Sequence, residues 1–221
     1  MGFWSWFRFL FARKKGFLTL GISRSGKTTL MKAAEALSKG NVSYDCRKEE
    51  SAATSQEEVN LKGKISLPGV DLFFYFVHDY GGDYLNQEMH LREDLPEVQN
   101  IIYCFDANIL AEDEIVDRNG IKLKDYAKTA ILQCIKVIKN LQNEQKKIKI
   151  KNFIFLGTHY DEVKDQEQYN ENVLMKKIGY YDLQKKIKEC LPDTKIVFIC
   201  GSFISFDEAG NVWERIAKKL N

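Results

Sequence analysis

The chain has 221 residues, 44% of them hydrophobic, which is enough for one domain with a substantial core. Its 33 Lys and Arg residues against 31 Asp and Glu residues leave a formal net charge of +2. Because so small a charge produces no long-range field, the composition excludes a strongly basic nucleic-acid binder, and we expect no nucleic-acid partner.

An aromatic stretch opens the chain. It is too short to span a bilayer, and Arg13-Lys14-Lys15 follows it, the reverse of the flank order in a signal peptide. Aromatic and leucine side chains fill most of a helical wheel, and Arg8 falls in the narrow polar wedge. We predict an amphipathic helix over residues 1–15, with residues 2–15 contacting a membrane surface. The alternative is a helix that packs into a groove of its own domain.

Residues 16–221 alternate short apolar runs with longer helical patterns. This alternation predicts an α/β domain, with a mostly parallel sheet and helices on both faces. The first strand is predicted at residues 16–20 and the helix after it at 27–37. Residues 40–56 are polar and lack periodicity, so we predict a mobile loop there, or a region that only a ligand orders.

The later elements follow the same alternation. Residues 59–67 and 71–78 flank Pro68-Gly69 and predict an antiparallel hairpin at the sheet edge. Further strands are predicted at residues 101–105, 153–156 and 195–200, with a long helix at 123–142 and a closing helix that ends near residue 220.

A G-x-x-x-x-G-K-T motif lies between the first predicted strand and its helix. Glycines let the backbone wrap closely around a phosphate, and a helix N-terminus favours negative charge. We predict that Lys27 reaches the β- and γ-phosphates and that Thr28 ligates magnesium. The alternative is a simple glycine turn before a helix. The predicted phosphate-binding residues are Gly21, Ser23, Arg24, Ser25, Gly26, Lys27, Thr28 and Thr29.

A second motif, Asp79-Tyr80-Gly81-Gly82, follows the strand predicted at 71–78. A carboxylate at that position can hold magnesium through water, and a glycine beyond it can donate its backbone N–H to a γ-phosphate. We therefore predict that Asp79 and Gly82 make the site sensitive to the third phosphate.

A third motif, Thr158-His159-Tyr160-Asp161, follows the strand at 153–156. The Asp161 carboxylate can accept from both the N1–H and the exocyclic amine of guanine, a donor pair that adenine lacks. The motif therefore predicts a guanine pocket formed by Thr158, His159 and Asp161, with Cys200, Gly201 and Ser202 on the opposite rim. The alternative is an ordinary capping Thr or Asp at a turn.

In order and spacing, these motifs resemble the Ras superfamily of small GTPases over residues 17–220, and the Arf branch in particular. Further parts of the Arf likeness are Met1-Gly2, the aromatic stretch with its basic triplet, and Asp106-Ala107-Asn108. The resemblance implies a P-loop GTPase fold with a six-stranded mixed sheet, bound GTP or GDP, and Mg²⁺. It also implies switch loops at about 43–58 and 79–96, with Thr54 as the switch threonine that ligates magnesium.

The likeness to Arf implies a mechanism as well. The hairpin over residues 59–78 would shift when GTP binds and release the N-terminal helix to a membrane. The protein would then be cytoplasmic and peripheral at a membrane, and its partners would be an effector protein, an exchange factor and a GTPase-activating protein.

Two departures from the family pattern carry predictions. Asp83 stands where the family has glutamine after the second motif, and a carboxylate near the γ-phosphate adds repulsion. We therefore expect slow unaided hydrolysis, with Gln87 or a partner's residue completing the site. Thr158 and His159 replace the usual Asn and Lys of the base motif. We expect guanine preference with weakened affinity, since threonine lacks the amide tether.

Two alternatives to a GTPase switch remain. A nucleotide-locked or degenerate GTPase that serves as a scaffold is favoured by Asp83. An ATP-dependent P-loop kinase of small molecules is disfavoured, because the chain has no evident arginine-rich lid and carries Asp161 where the base would be selected.

Overall fold

The computed structural model describes residues 15–22, 24–48, 61–67, 70–79, 87–112 and 122–220. The strands are β1 Lys15–Leu20, β2 Lys62–Leu67, β3 Val70–Asp79, β4 Asn100–Asp106, β5 Asn152–Thr158 and β6 Lys195–Cys200. The helices are α1 Lys27–Lys39, α2 Gln87–Asp94, α3 Ala107–Glu112, α4 Leu123–Asn143, α5 Glu171–Lys177, α6 Tyr180–Cys190 and α7 Phe206–Leu220. Every strand predicted from the sequence is present, with ends that differ by a few residues.

All six strands form one sheet in the order β2-β3-β1-β4-β5-β6. Among the described strands, β2 alone runs antiparallel to its neighbour, β3, so the predicted hairpin at the sheet edge is confirmed. The remaining neighbours pair in parallel. The parallel strands therefore all end along the same side of the sheet, here called its carboxyl edge; these strands are β3, β1, β4, β5 and β6. Ligand sites of open α/β sheets lie along this side.

Helices cover both faces of the sheet, which explains why β4 and β5 are apolar without alternation. On one face α1 and α7 pack against the strands, and the fully buried Trp213 contacts three phenylalanine rings. The ring-centroid distances from Trp213 are 5.8 Å to Phe17, 6.1 Å to Phe74 and 6.1 Å to Phe76. On the other face α4 buries an apolar stripe that includes Ile131 and Ile138.

Two buried asparagines join the amino ends of three neighbouring strands. Asn152 Nδ2 donates to Asn100 Oδ1 at 2.7 Å, and Asn100 Nδ2 donates to the Gly16 carbonyl at 2.9 Å. Both side chains are almost fully buried, so these bonds satisfy polar groups that water does not reach. The network fixes the register of β1, β4 and β5 at the edge opposite the predicted nucleotide loops.

Four helices were not predicted: α2, α3, α5 and α6. Side-chain caps mark the start of two of them. The Asp106 carboxylate accepts from the backbone N–H groups of Asn108 at 2.9 Å and Ile109 at 3.0 Å, and so caps α3. Asn170 caps α5 in the same way. An acid or asparagine ahead of an apolar run is a known start signal, and it was missed because both helices are short.

The prediction of a mobile loop over residues 40–56 is corrected for its first part. Residues 41–48 lie against the loop after β6: Asp45 forms a β-bridge with Ser205, and Cys46 N–H donates to the Ile204 carbonyl at 2.9 Å. Tyr44 is anchored in the core with 4% of its surface exposed. Residues 49–60 lie outside the described part of the chain.

All five cysteines are free, and four of them are buried. Across the described ranges, no helix combines the length and apolarity that crossing a bilayer requires. Residues 1–14 of the predicted amphipathic helix lie outside the described residues. Its last residue, Lys15, is instead the first residue of β1.

Candidate functional site

The predicted motifs meet at the carboxyl edge of the sheet. Asp79, the last residue of β3, is paired in register with Thr19 of β1, two residues before the glycine loop. Asp106, the last residue of β4, is paired with Thr158, the last residue of β5. Motifs that are far apart in sequence are therefore adjacent because parallel neighbours end together.

The loop between β1 and α1 requires both of its glycines. Gly21 has a φ of +143°, and a Cβ there would lie 2.2 Å from the Cys104 carbonyl oxygen. Gly26 has a φ of +76°, and a Cβ there would lie 2.9 Å from Cγ2 of Thr158. Because the first clash is with backbone, any side chain at Gly21 would displace the loop from β4.

Lys27 is buried inside this loop, with 5% of its surface exposed. Its Nζ donates to the carbonyls of Gly21 at 3.0 Å and Ile22 at 2.7 Å. Ser25 Oγ is also buried, and it has no hydrogen-bond partner among the described residues. A buried cation beside an unpaired hydroxyl donor fits an anionic ligand, and such a hydroxyl costs about 1–3 kcal/mol when it stays unpaired.

The rest of the predicted phosphate site lies around the start of α1. Thr28 is exposed and Thr29 partly exposed on the first turn, which contains no acidic residue to offset the positive helix end. Arg24 is exposed and adopts a φ of 63°, which is uncommon for a residue with a side chain. Ser23 lies outside the described residues.

Thr158 ties the phosphate loop to the base motif. Its Oγ1 lies 3.1 Å from the Ser25 carbonyl and 3.2 Å from the Phe105 carbonyl, and the side chain is 2% exposed. Thr158 lacks the amide that the family pattern has, but its hydroxyl makes a bond to the phosphate loop itself. The close packing of Thr158 against Gly26 reinforces this contact.

His159 follows Thr158 and pairs with Asp106. The distance from His159 Nδ1 to Asp106 Oδ2 is 3.0 Å, and the backbone of His159 is left-handed with a φ of 52°. The hydrogen bond to Asp106 raises the pKa of His159, while partial burial acts against that rise. Sequence reasoning did not assign Asp106 to the site, although its place at the end of a strand was the available signal.

Asp161 lies in the 3-10 turn Tyr160–Glu162, which follows His159. Its carboxylate is partly exposed and accepts no hydrogen bond from the described residues, so it is available to a ligand. Burial raises the pKa of the nearby Cys46 thiol, and the Asp161 charge is one of the smaller causes that add to this rise.

The loop after β6 is held by its backbone. Glu171 of α5 accepts from Cys200 N–H at 2.7 Å, Arg215 of α7 donates to the Cys200 carbonyl at 2.8 Å, and the two side chains pair at 2.6 Å. Gly201 packs against α7, where a Cβ would lie 2.3 Å from Val212 Cγ2. No sequence pattern pointed to the pairing of Glu171 with Arg215.

A capping box holds the far side of the same loop. Ser202 Oγ donates to Glu208 at 3.3 Å, Ser205 N–H donates to Glu208 at 3.2 Å, and Glu208 N–H donates back to Ser205 Oγ. The pattern Ser-x-x-Glu before an apolar helix is a sequence signal that could have found Glu208.

Several predicted residues lie outside the described ranges: Thr54, Gly82 and Asp83. Gln87 is the first residue of α2. Among the described residues no three His, Cys, Asp or Glu side chains cluster closely enough to hold a metal. A magnesium ion bound through few carboxylates, with hydroxyl, water and phosphate oxygens as the other ligands, does not require such a cluster.

Comparison with known proteins bears on the fold. No protein-family model matches the sequence, and no curated protein matches it. Among solved structures, the chain is similar to the signal recognition particle receptor SRb-GTP/SRX complex from Chaetomium thermophilum, with a TM-score of 0.50 and 15% sequence identity. The similarity covers 92% of this chain and 99% of that one. The chain therefore has the P-loop GTPase fold, with a six-stranded, mostly parallel sheet and helices on both faces.

Proposed function

We propose that the protein is a guanine-nucleotide-binding switch that binds GTP and GDP with Mg²⁺. The observation that carries the proposal is the contact between Thr158 Oγ1 and the Ser25 carbonyl, 3.1 Å long and buried. It joins a loop suited to phosphates to a turn suited to a base. A nucleotide has the same two parts at a set separation, so the pairing of the loops favours a nucleotide over a free phosphate.

Each part of the nucleotide has residues to hold it. Backbone N–H groups of residues 21–28 and the Lys27 ammonium bind the phosphates, since both are donors at a helix N-terminus. Asp161 accepts from the guanine edge. Thr28, Asp79 and Thr54 hold magnesium, which when bound neutralises charge on the phosphate oxygens.

Hydrolysis is proposed to be slow. Asp83 replaces the glutamine that would orient the attacking water, and its charge repels the γ-phosphate. Gln87 or a residue of a GTPase-activating protein completes the site. In single-turnover assays we expect an unaided rate of about 10⁻³ per second or below, and we expect Asp83→Gln to raise it. A fast wild-type rate that Asp83→Gln lowers would reverse this assignment.

The switch is proposed to act at a membrane surface. GTP binding shifts the β2–β3 hairpin, residues 2–15 contact the bilayer, and an effector protein reads the GTP state, with an exchange factor to reload it. The solved SRb-GTP structure is a complex with SRX, which supports a partner-binding role for this fold. Liposome flotation of the full chain and of a chain starting at Lys14, each loaded with GDP or a non-hydrolysable GTP analogue, tests this step. Flotation that changes neither with the truncation nor with the bound nucleotide would exclude this action at a membrane.

A nucleotide-locked scaffold is the second candidate, and Asp83 favours it. Two measurements separate the candidates: the nucleotide content of the purified protein, and phosphate release with and without cell lysate. A switch releases phosphate and exchanges GDP when partners are present, whereas a locked scaffold keeps one nucleotide throughout.

Nucleotide competition tests the proposal as a whole. We expect GTP and GDP to displace a fluorescent GDP analogue at concentrations at least about 100-fold below those of ATP, because two charge-assisted hydrogen bonds to Asp161 are available only to guanine. Equal affinity for ATP would favour the kinase alternative. No binding of either nucleotide would refute the proposal.

A further inference from the structure

We propose that Asp106 and His159 form a positioning pair that holds the base-binding turn in place, so that guanine nucleotide is released more slowly when His159 is positively charged. The inference rests on the proposed function. It assigns a role to Asp106, which no sequence motif required, and to His159, which stands where the related motif has lysine.

Asp106 is held too firmly to swing away from His159. Its Oδ1 accepts from the backbone N–H groups of Asn108 and Ile109 at the start of α3, while its Oδ2 lies 3.0 Å from His159 Nδ1. The Asp106 side chain is 13% exposed, so water competes little for it. The carboxylate therefore bridges α3 and the base turn.

His159 is the residue that starts the base turn. Its φ of 52° turns the chain from β5 into the 3-10 turn that carries Asp161, two residues later. A left-handed backbone costs free energy for a residue with a side chain, so something must hold it there. The ring contact to Asp106 supplies that hold, and Thr158 Oγ1, which lies 3.1 Å from the same ring nitrogen, shares that nitrogen's single hydrogen with the carboxylate.

Within the described ranges, the charges that shift the pKa of His159 are acidic. Asp106 faces it from β4, and Asp161 and Glu162 face it from its own turn. The ring nitrogen also lies 3.1 Å from the neutral hydroxyl of Thr158, which in turn contacts the Ser25 carbonyl of the phosphate loop. This surrounding raises the pKa of His159, and the hydrogen bond to Asp106 is the main cause.

The sign of the pH dependence follows from that direction. The stabilisation of the base turn by positively charged His159 is complete below the ordinary histidine pKa of 6.5. It is lost as the pH rises through the raised pKa of His159. Neutral imidazole still donates from Nδ1, but a charge-assisted bond is about twice as strong. We therefore expect nucleotide release to be about three- to tenfold faster near about pH 8.5 than near about pH 6.

Release of a fluorescent GDP analogue from the full chain, with magnesium present, tests this in four proteins. Wild type should show the pH slope. Asp106→Asn, which keeps an oxygen to cap α3, should release quickly at every pH. His159→Lys, which stays charged, should release slowly at every pH. Glu167→Gln removes an exposed acidic charge that is not among the groups acting on His159, and it is the control, so the pH dependence of its release should equal that of wild type.

Histidine NMR on the nucleotide-free protein gives a second readout that does not depend on binding. With only three histidines in the chain, the His159 signal is assigned by its loss in His159→Lys. Its titration midpoint should lie above 6.5 in wild type and fall in Asp106→Asn. A raised midpoint together with release that is flat in pH would overturn the positioning role, as would an unshifted midpoint. If wild type binds no guanine nucleotide, the proposed function fails first, and the positioning role fails with it.

Discussion

Replacing Thr158 by valine removes the hydroxyl that joins the phosphate loop to the base motif while keeping nearly the same volume. Because Oγ1 carries a single hydrogen, the carbonyls of Ser25 and Phe105, at 3.1 and 3.2 Å, share one donor, so the substitution removes one donated bond together with the 3.1 Å contact from Oγ1 to His159 Nδ1. Leaving a buried carbonyl unpaired costs about 1–3 kcal/mol. We expect the free energy of unfolding to fall by about that amount, and the unfolding midpoint by about 2–4 °C per kcal/mol.

Nucleotide affinity should fall as well, because the two loops would no longer be held at a set separation. A loss of about 1–2 kcal/mol corresponds to roughly a five- to thirtyfold weaker Kd for GDP. The assay is titration of a fluorescent GDP analogue at a temperature where both proteins are folded, combined with urea denaturation of the nucleotide-free forms.

Thr194→Val is the matched control for this substitution. Thr194 is also buried, and its Oγ1 donates to the Ile150 carbonyl at 2.7 Å, at the opposite edge of the sheet. It should lose a similar free energy of unfolding and keep wild-type affinity for GDP. The reasoning would be refuted if Thr158→Val bound GDP as tightly as wild type, or if both variants lost affinity equally.

Three further substitutions test the remaining parts of the site. Gly21→Ala should abolish nucleotide binding, measured by the same titration, because its Cβ would lie 2.2 Å from the Cys104 carbonyl oxygen; retained binding would show that the loop relaxes without cost. Asp161→Asn should weaken GDP binding about 100-fold. It should improve binding of xanthosine diphosphate, because xanthine has an oxygen in place of the exocyclic amine of guanine. Competition between GDP and xanthosine diphosphate measures both effects. Arg215→Met should weaken GDP binding about three- to tenfold, because it frees the Cys200 carbonyl from its 2.8 Å bond, with little change in urea stability since the side chain is about half exposed. An unchanged Kd for GDP would show that the bond from Arg215 to the Cys200 carbonyl has a purely structural role.

The replacement of Asn by Thr in the base motif shows how a residue that departs from a pattern can still join two loops of the fold. Judged as a side chain in isolation, threonine is shorter than asparagine and has no amide. In the fold it lies close enough to the phosphate loop for a hydroxyl to reach the Ser25 carbonyl, since Gly26 leaves room for its methyl group. The tertiary structure sets the distance between the phosphate loop and Thr158, and this distance cannot be read from the sequence.

The secondary structure likewise includes elements that the sequence predicts and elements that depend on contacts with distant parts of the chain. The strands were predictable because β4 and β5 are buried on both faces and so appear as short, continuous apolar runs. The short helix α3 was not, because six residues give too little periodicity to detect and its start depends on the Asp106 cap. Residues 41–48 are polar, and their order comes from contact with Ser205, far along the chain.

By itself, the sequence determined the local chemistry of this protein: a glycine loop at a strand-to-helix junction and acids at strand ends, because backbone freedom and hydrogen-bonding capacity belong to residue types and short spacings. Only the tertiary structure decided which of these groups act together. Asp106 meets His159 because β4 and β5 end side by side, and Glu171 meets Arg215, 44 residues away, because α5 and α7 both pack near the end of β6. Such partners are set by strand order and helix packing, which depend on the burial of the whole core rather than on any local pattern.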